Sequence, residues 1–306
     1  ALFCECEHHP GVGKKRKKAG RHRKRKRPFG EPFAKCFGGE TNPRHREKVT
    51  LSFSHPMANR TFAIGDIHGD LSSLGKVLDM LPPLDKDDTV ITLGDYVDRG
   101  PLSAQVIDFI RYELPKRVPG KLVTLRGNHE DGWLRVVNGG WPEFIIPYGN
   151  GCLATMKSFT GKLFFEGDQA TPEDLALMKN GGFFPKDVVD WMNSLPYYYE
   201  DEHAIYVHAG LVEQDGKWLH PSETENKAQL LWVRTMRFFE GYRGKRVICG
   251  HTSTGNLPPE LSSFTPDDPD DMWVGENVAV IDTGCGKGGF LTALELPAMK
   301  TYESRA

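Results

Sequence analysis

Short motifs rich in metal-ligating side chains recur along the chain, and each follows directly after a short β-rich run. The first two, Gly-Asp-Ile-His-Gly and Gly-Asp-Tyr-Val-Asp-Arg-Gly, contain Asp66, His68 and Asp95. A third, Gly-Asn-His-Glu, contains Asn128 and His129. Carboxylate, imidazole and amide groups together suit first-row metals such as manganese, iron or zinc better than calcium. The types and spacing of these residues therefore predict a metal site.

Two further histidines occupy corresponding places later in the chain. His208 stands in Val-His-Ala-Gly and His251 in Gly-His-Thr, again after β-rich runs. Active groups of open α/β sheets gather beyond the carboxyl ends of the strands, so all these side chains are expected at one edge. An Asp or Asn there could by itself merely cap a turn. Because His68, His208 and His251 accompany them, we interpret the set as one metal site. A single carboxylate can bridge two such ions, an arrangement that serves phosphate displacement in some enzymes.

The elements that must position the first motifs alternate between strand and helix. The pattern predicts strands at Thr61–Ile64, Thr89–Leu93 and Lys121–Leu125, and amphipathic helices at Leu71–Leu81 and Ala104–Leu114. Alternation of this kind is typical of consecutive βαβ units. The sequence therefore predicts a parallel sheet for this part of the chain.

Beyond residue 130 the regular alternation of predicted strands and helices ends. We interpret residues 131–200, with predicted helices at Pro172–Met178 and Lys186–Leu195, as an inserted helical cap. Predicted strands resume at Ala204–Val207, Arg246–Cys249, Val278–Ile281 and Phe290–Leu296. Their closer spacing predicts a second sheet, mixed or antiparallel.

In this order and spacing, the motifs resemble those of the calcineurin-like metallophosphoesterase superfamily. Within it they are similar to the phosphoprotein phosphatase branch, and to the bacterial and phage lambda-type serine/threonine phosphatases. The resemblance extends from Thr61 to about Tyr302 and includes the run Ile-Asp-Thr-Gly-Cys-Gly-Lys-Gly-Gly that begins at Ile281. It implies a four-layer α-β-β-α sandwich of two mixed sheets flanked by helices, with a dinuclear metal site at the carboxyl ends of the strands.

The resemblance also implies a metal content and a ligand set. Two divalent ions are expected, manganese foremost, with iron, zinc, cobalt or nickel as alternatives. The implied ligands are Asp66, His68, Asp95, Asn128, His208 and His251. Asp66 and His68 would bind the first ion, and Asp95 would bridge the pair. The sequence leaves open which of His208 and His251 belongs to which ion.

Four further residues acquire implied catalytic roles. His129 would be the general acid for the leaving alkoxide, and Asp98 would orient it. Arg99 and Arg234 would bind the phosphoryl oxygens in bidentate fashion. His129 as an additional metal ligand and Arg99 as a plain surface cation stay open as alternatives. Asp282 is considered as a partner for a ligand histidine.

The resemblance favours a serine/threonine protein phosphatase as the function. A symmetrical diadenosine tetraphosphatase shares the fold and the metals, but it tends to have Asp after Gly-Asn-His and Ala-Arg-Gly in the second motif. Glu130 and Asp98 therefore favour the protein phosphatase. A phosphatase of broad specificity for small molecules is a third alternative, because the motifs define the phosphate chemistry and not the leaving group.

The charge of the chain is split between two regions. Residues 1–56 hold 15 Lys and Arg against five Asp and Glu, whereas the remaining residues hold 24 against 36. The basic segment, with few aliphatic residues, is predicted to be disordered, and either extraneous or dispensable. The alternative is an arm that binds nucleic acid or another polyanion, with the rest of the chain as a non-enzymatic platform. Residues 57–306 are predicted to form the phosphoesterase domain.

Composition excludes some classes of protein. No run of 18 apolar residues occurs, which argues against a transmembrane helix and membrane partners. Three of the six cysteines lie in the basic segment, and the others, Cys152, Cys249 and Cys285, are widely scattered. They do not form a disulfide framework, so a cytoplasmic setting is expected.

Overall fold

The structure is a computed structural model that describes residues 59–264 and 268–305. The basic segment predicted at residues 1–56 lies outside the described residues. In chain order the strands are β1 (Thr61–Ile64), β2 (Thr89–Thr92), β3 (Lys121–Thr124), β4 (Tyr198–Glu200), β5 (Ile205–Val207), β6 (Glu213–Gln214), β7 (Lys217–Trp218), β8 (Val247–Cys249), β9 (Trp273–Val274), β10 (Val278–Val280), β11 (Thr292–Leu296) and β12 (Lys300–Glu303).

Helices occupy most of the connections between the strands. They are α1 (Leu71–Met80), α2 (Ser103–Asp108), α3 (Leu114–Arg117), α4 (Asn128–Gly139), α5 (Pro142–Ile145), α6 (Cys152–Phe159), α7 (Pro172–Met178), α8 (Lys186–Ser194) and α9 (Met236–Gly241). A π-helical turn, Phe109–Glu113, joins α2 to α3, and 3₁₀ turns lie at Tyr148–Asn150, Lys227–Leu231, Thr254–Asn256 and Pro259–Leu261.

Two five-stranded mixed sheets form the centre of the fold. The first has the order β12-β11-β1-β2-β3, in which β1, β2 and β3 are parallel and β11 and β12 run antiparallel to their neighbours. The second has the order β4-β5-β8-β10-β9, with β5, β8 and β10 parallel. A short hairpin, β6-β7, completes the strands of the described residues.

The alternation of side chains along the strands creates the layers. On β1, Phe62 and Ile64 pack against helices, in a cluster with Leu74 of α1 and Trp133 of α4, whereas Ala63 faces the second sheet. Successive side chains of a strand point to opposite faces, so both faces of the sheet are covered. Each such fully buried side chain contributes about 1.5–3 kcal/mol to folding.

The second sheet is covered in the same way. Ile248 of β8 packs toward the first sheet, while its neighbours Val247 and Cys249 pack with Phe238 and Phe239 of α9. The order is therefore helix, sheet, sheet, helix. The predicted four-layer sandwich of two mixed sheets is confirmed. The strand predicted at Phe290–Leu296 was expected in the second sheet, but it is β11 of the first sheet, where it pairs antiparallel with β1.

Helices α4 and α6 were not predicted from the sequence. Asn128 and two glycines, Gly132 and Gly139, give α4 a weak helical propensity. At Gly132 the ring of Phe144 comes so close that a Cβ atom would lie 2.5 Å from its Cε2. Packing of the helix against α5 therefore decides its formation, which local propensity does not anticipate.

Among the described residues, no helix is both long and apolar enough to cross a membrane.

Candidate active site

The predicted metal ligands converge at the carboxyl ends of five strands. Asp66 and His68 follow β1, Asp95 follows β2, Asn128 begins α4 after β3, His208 follows β5 and His251 follows β8. All six side chains are buried, none with more than 4% of its surface exposed. A buried group of this polarity is costly unless its members are paired or bind an ion.

Asp95 lies at the middle of the group. Its Oδ2 atom is 3.4 Å from Nε2 of His68, and its Oδ1 atom is 3.3 Å from Nε2 of His208. Burial by itself raises the pKa of Asp95, but the positive charge that His208, His129 and His68 carry when protonated, together with that of Arg99, brings it well below its ordinary value. The carboxylate is therefore ionised and shared between two sides of the site.

Hydrogen bonds to the main chain define the tautomers of two histidines. Nδ1 of His68 donates to the carbonyl of Val97, and Nδ1 of His208 donates to the carbonyl of Leu93, each at 2.9 Å. Burial lowers the pKa of both imidazoles, so each is neutral. A neutral imidazole that donates through Nδ1 has its lone pair on Nε2, and this is how metal-ligating histidines are oriented.

Acceptor atoms face one another beside His208. Its Nε2 atom, which carries the lone pair, lies 3.3 Å from Oδ1 of Asp95 and 2.9 Å from Oδ1 of Asn128. Nδ1 of His251 lies 2.7 Å from the same Asn128 atom, and the buried Nε2 of His251 has no hydrogen-bond partner among the described residues. A cation bound among the facing acceptor atoms of His208, Asp95 and Asn128 would satisfy them, so the donor set fits a metal.

Two groups of ligand atoms share Asp95. One consists of His68, Asp95 and His129, the other of Asp95, His208 and His251, and within each group the ligand atoms lie within 4.8 Å of one another. This arrangement fits a pair of divalent ions with Asp95 common to both. His129 belongs to the first group, so the alternative that it binds metal is compatible with its position.

Asp66 borders the shared group. Its carboxylate accepts a 3.0 Å hydrogen bond from the backbone N–H of His251. Burial raises its pKa well above the ordinary value, and the charges of Asp282 and Asp95 raise it further. A bound cation would restore the ionised form, because an opposite charge at short range favours it.

Asp98 and His129 form a buried hydrogen-bonded pair. Nδ1 of His129 lies 2.6 Å from Oδ2 of Asp98, and Nε2 of His129 lies 3.8 Å from Oδ2 of Asp95. The other oxygen of Asp98 accepts hydrogen bonds from the indole of Trp133 at 2.9 Å and the hydroxyl of Thr155 at 2.6 Å. No sequence motif contains Trp133 or Thr155, so their contacts with Asp98 were not predicted.

The two predicted arginines approach the histidines from different loops. The guanidinium of Arg99 contacts Nε2 of His68 and lies 3.3 Å from Nε2 of His129. Arg234 donates to the backbone carbonyl of His251 at 3.2 Å. Both cations therefore border the same space, where they can hold an anion.

Glu130 connects the loops that carry the ligands. Its fully buried carboxylate accepts hydrogen bonds from the backbone N–H groups of Asp95, Tyr96 and Gly127, at 2.8 to 2.9 Å. Burial and the charge of Asp95 raise its pKa to about 8, against the opposing effect of these N–H groups. In the sequence, Glu130 served only to distinguish families, although its place in the third motif was a signal of this role.

The backbone at the site is strained. Seven non-glycine residues among those described have a positive φ, and five of them are site residues: His68, Asp95, Asp98, Arg99 and His251. Such conformations persist only where the surrounding structure enforces them. Glycine is required next to the ligands as well, since a Cβ atom at Gly250 would overlap the carboxylate of Asp66.

Two other residues considered from the sequence lie nearby. Asp282 accepts hydrogen bonds from the hydroxyl of Ser253 and the backbone N–H of Gly284. Trp232 is half-buried beside the site and packs against the hydrophobic core, with its ring centre 6.5 Å from that of His251.

The chain matches a known protein family and resembles individual proteins of known sequence or structure. The sequence profile of the calcineurin-like phosphoesterases matches residues 60–254. A Schizosaccharomyces pombe protein, assigned as a serine/threonine-protein phosphatase, is 34% identical over 122 residues, which are 40% of this chain and 38% of that protein. The chain thus spans about two fifths of the length of this relative.

Solved structures of similar proteins are more distant in sequence. One assigned as a diadenosine tetraphosphatase is 18% identical, with a TM-score of 0.45 over 81% of this chain and 94% of that one. A cold-active protein-tyrosine phosphatase of a Shewanella species is 17% identical, with a TM-score of 0.46 over 77% and 75%.

Proposed function

The chain belongs to the calcineurin-like phosphoesterase family, and from this premise we propose that it is a metal-dependent serine/threonine protein phosphatase. The observation that carries the proposal is the pair of Asp98 and His129, 2.6 Å apart, beside the shared carboxylate of Asp95 and the guanidinium of Arg99. A proton donor, an anion-binding cation and a set of metal ligands are the groups that hydrolysis of a phosphomonoester needs.

A pair of divalent ions would bind the six ligands that the resemblance implies: Asp66, His68, Asp95, Asn128, His208 and His251. Of these, His68, Asp95, His208 and His251 lie in the two groups of ligand atoms, which share Asp95. When bound, such ions lower the pKa of water toward neutrality and polarise phosphoryl oxygens. We propose manganese as the native metal, because the mixed ligands suit a borderline ion.

The protein's own side chains would bind the phosphate and move the proton. Arg99, beside His129, and Arg234, beside His251, hold phosphoryl oxygens through their planar forks. His129 enters the reaction as an imidazolium, and its Nε2 proton passes to the oxygen of the departing serine or threonine. Asp98 keeps the other proton on Nδ1, which stabilises the imidazolium and aims Nε2 at the substrate.

Three observations favour a protein substrate over a dinucleotide. Asp98 precedes Arg99 in the second motif, and Glu130 follows His129 in the third, as the resemblance to the protein phosphatases requires. The relative from Schizosaccharomyces pombe bears the name of this activity.

The assignment to the bacterial and phage lambda-type branch and to the cytoplasm belongs to the same proposal. The proposed cytoplasmic location is supported by three cysteines that are free and buried, Cys152, Cys249 and Cys285.

Substrate turnover by the remetallated protein tests the proposal. The protein is stripped of metal and refilled with manganese, and phosphate release is measured from phosphoserine and phosphothreonine peptides and from diadenosine tetraphosphate. We expect turnover of the peptides well above that of the dinucleotide. Preferential cleavage of the dinucleotide to two molecules of ADP would instead establish the diadenosine tetraphosphatase, and hydrolysis of small phosphate esters alone would establish the broad phosphatase.

A further inference from the structure

Arg135 is held in an unusual setting on the surface of α4. Its guanidinium lies 5.3 Å from the ring centre of Trp141 and 5.7 Å from that of Trp232. One end forms a 2.7 Å ion pair with Oδ2 of Asp131, which also accepts the indole N–H of Trp232 at 2.9 Å. Two rings and one carboxylate therefore hold a single cation, while 47% of its side chain stays exposed.

A row of aromatic rings joins this cation to the active site. The ring of His129 lies 5.6 Å from that of Phe144, which stacks on Trp141 at 5.5 Å. Trp141 in turn lies 5.5 Å from Trp232, whose ring is 6.5 Å from that of His251. The row runs from the proposed general acid to a proposed metal ligand, so the two rings that hold Arg135 belong to the aromatic surround of the site.

The position of Arg135 along α4 gives its distance from the ligands. It follows Asn128 by seven residues, which is about 10 Å along a helix axis. Helical side chains lean toward the N-terminus, and the ion pair with Asp131 shows that the guanidinium reaches back by about one turn. The charge therefore lies roughly 5–10 Å from Asn128 along the axis, a distance that two or three residues of an extended peptide span.

We propose that Arg135 binds the carboxylate of an acidic side chain two or three residues from the phosphorylated serine or threonine of the substrate. This inference rests on the proposed function. Asp131 occupies one end of the guanidinium, and among the described residues no other acidic group pairs with it. The remaining N–H donors are free for a carboxylate, which matches the planar fork of arginine.

The way in which Arg135 is held explains why it can select a substrate. An exposed ion pair usually gains little, because two long side chains must lose their freedom to form it. Here the cation–π contacts with Trp141 and Trp232 and the ion pair with Asp131 have already ordered the arginine. The substrate then orders only its own side chain, which makes the contact more favourable.

Matched phosphopeptides test the inference. Peptides with Glu or Gln at the second or third position on either side of the phosphoserine are hydrolysed by the manganese-loaded protein, and KM and kcat are measured separately. We expect kcat/KM to be about fivefold higher for Glu than for Gln at one or more of these positions, mainly through KM. Arg135→Gln should bring this ratio close to one.

Arg117→Gln is the matched control. Arg117 is 51% exposed, lies over the ring of Phe109 and pairs with Asp79, but it precedes β3 and thus lies at the opposite edge of the sheet from the site. This variant should keep both the basal activity and the Glu/Gln ratio of the wild type. A ratio that Arg135→Gln leaves unchanged would overturn the assignment to Arg135.

Other outcomes separate this inference from the proposed function. Equal hydrolysis of the Glu and Gln peptides by the wild type would overturn the inference alone. Hydrolysis of neither peptide, with turnover of an aryl phosphate, would overturn the proposed function and the inference with it. Loss of diadenosine tetraphosphate turnover in Arg135→Gln, without any preference for Glu peptides, would assign the arginine to a phosphate and not to a carboxylate.

Discussion

The hydroxyl of Thr155 donates a 2.6 Å hydrogen bond to Oδ1 of Asp98. The opposite oxygen of this carboxylate accepts Nδ1 of His129, so Thr155 and the indole of Trp133 determine which oxygen is left for the histidine. Thr155 also accepts the backbone N–H of Asp98 at 2.7 Å. The helix α6 thus acts on the proposed general acid through Asp98, without touching the histidine.

Thr155→Val should therefore lower kcat without removing metal. Loss of one hydrogen bond to a buried charge corresponds to about a tenfold fall in rate for alkyl phosphates. Thr155→Ser keeps the hydroxyl and should restore most of the activity. Rates of both variants are compared over a series of phosphate esters, and the loss should grow with the basicity of the leaving group. A loss that is uniform across the series would contradict a role in positioning the acid.

Asp95→Asn should abolish both metal loading and activity, because the neutral amide loses the charge that both groups of ligands share. Metal content per chain is measured by elemental analysis after dialysis against manganese. Asp79→Asn is the control, because the side chain of Asp79 is 78% exposed. Two metals per chain in Asp95→Asn would show that Asp95 does not bridge the ions.

His129→Asn should keep both metals and lose activity according to the leaving group. Proton donation by a positioned side chain contributes about 10²–10⁴-fold, so alkyl phosphates should lose this much. Aryl phosphates should lose less, since a phenolate departs with little help. An equal loss on both substrates, or loss of a metal, would favour the alternative that His129 is a ligand.

Glu130→Gln should destabilise the protein and reduce the dependence of its stability on pH. The pKa of Glu130 is raised from 4.5 to about 8 by folding, so the folded state binds a proton more tightly than the unfolded state. Its contribution to stability is complete below pH 4.5 and is lost as the pH rises toward 8. Glutamine does not titrate, and its amide cannot accept all the backbone N–H groups.

Thermal unfolding of the metal-free proteins at pH 5 and pH 8 measures this effect. The wild type should lose more of its Tm between the two values than Glu130→Gln, although the variant melts lower at both. Parallel falls in Tm would show that Glu130 does not titrate in this range.

Deletion of residues 1–56 should leave turnover unchanged. The proposed site lies in the later part of the chain, while the basic segment carries the excess of Lys and Arg. Binding to DNA or RNA, measured separately at low and high salt, should weaken in the truncated protein if the segment is an arm for polyanions. Loss of turnover on deletion would show that the segment is not dispensable.

The sequence by itself determined the parallel strands and the candidate ligands, because both depend on local patterns, and the four-layer arrangement followed from the family resemblance of its motifs. Strand β1 and helix α7 occupy the predicted residues, and α7 begins with Pro172 after Thr171, whose hydroxyl accepts the N–H of Asp174. Strand ends in a parallel sheet meet at one edge, so Asp66, Asp95 and their counterparts could be placed together before any coordinates were known.

Only the tertiary structure decided what surrounds the site. Thr155 reaches Asp98 across 57 positions of the chain, and Trp232 reaches Asp131 across 101. No sequence motif signals either contact, because a hydrogen bond between distant residues depends on how the helices pack and not on the spacing of residue types. Packing alone brought Arg135 beside two indoles, since the local sequence pattern defines which groups a strand end presents but not which side chains meet beside it.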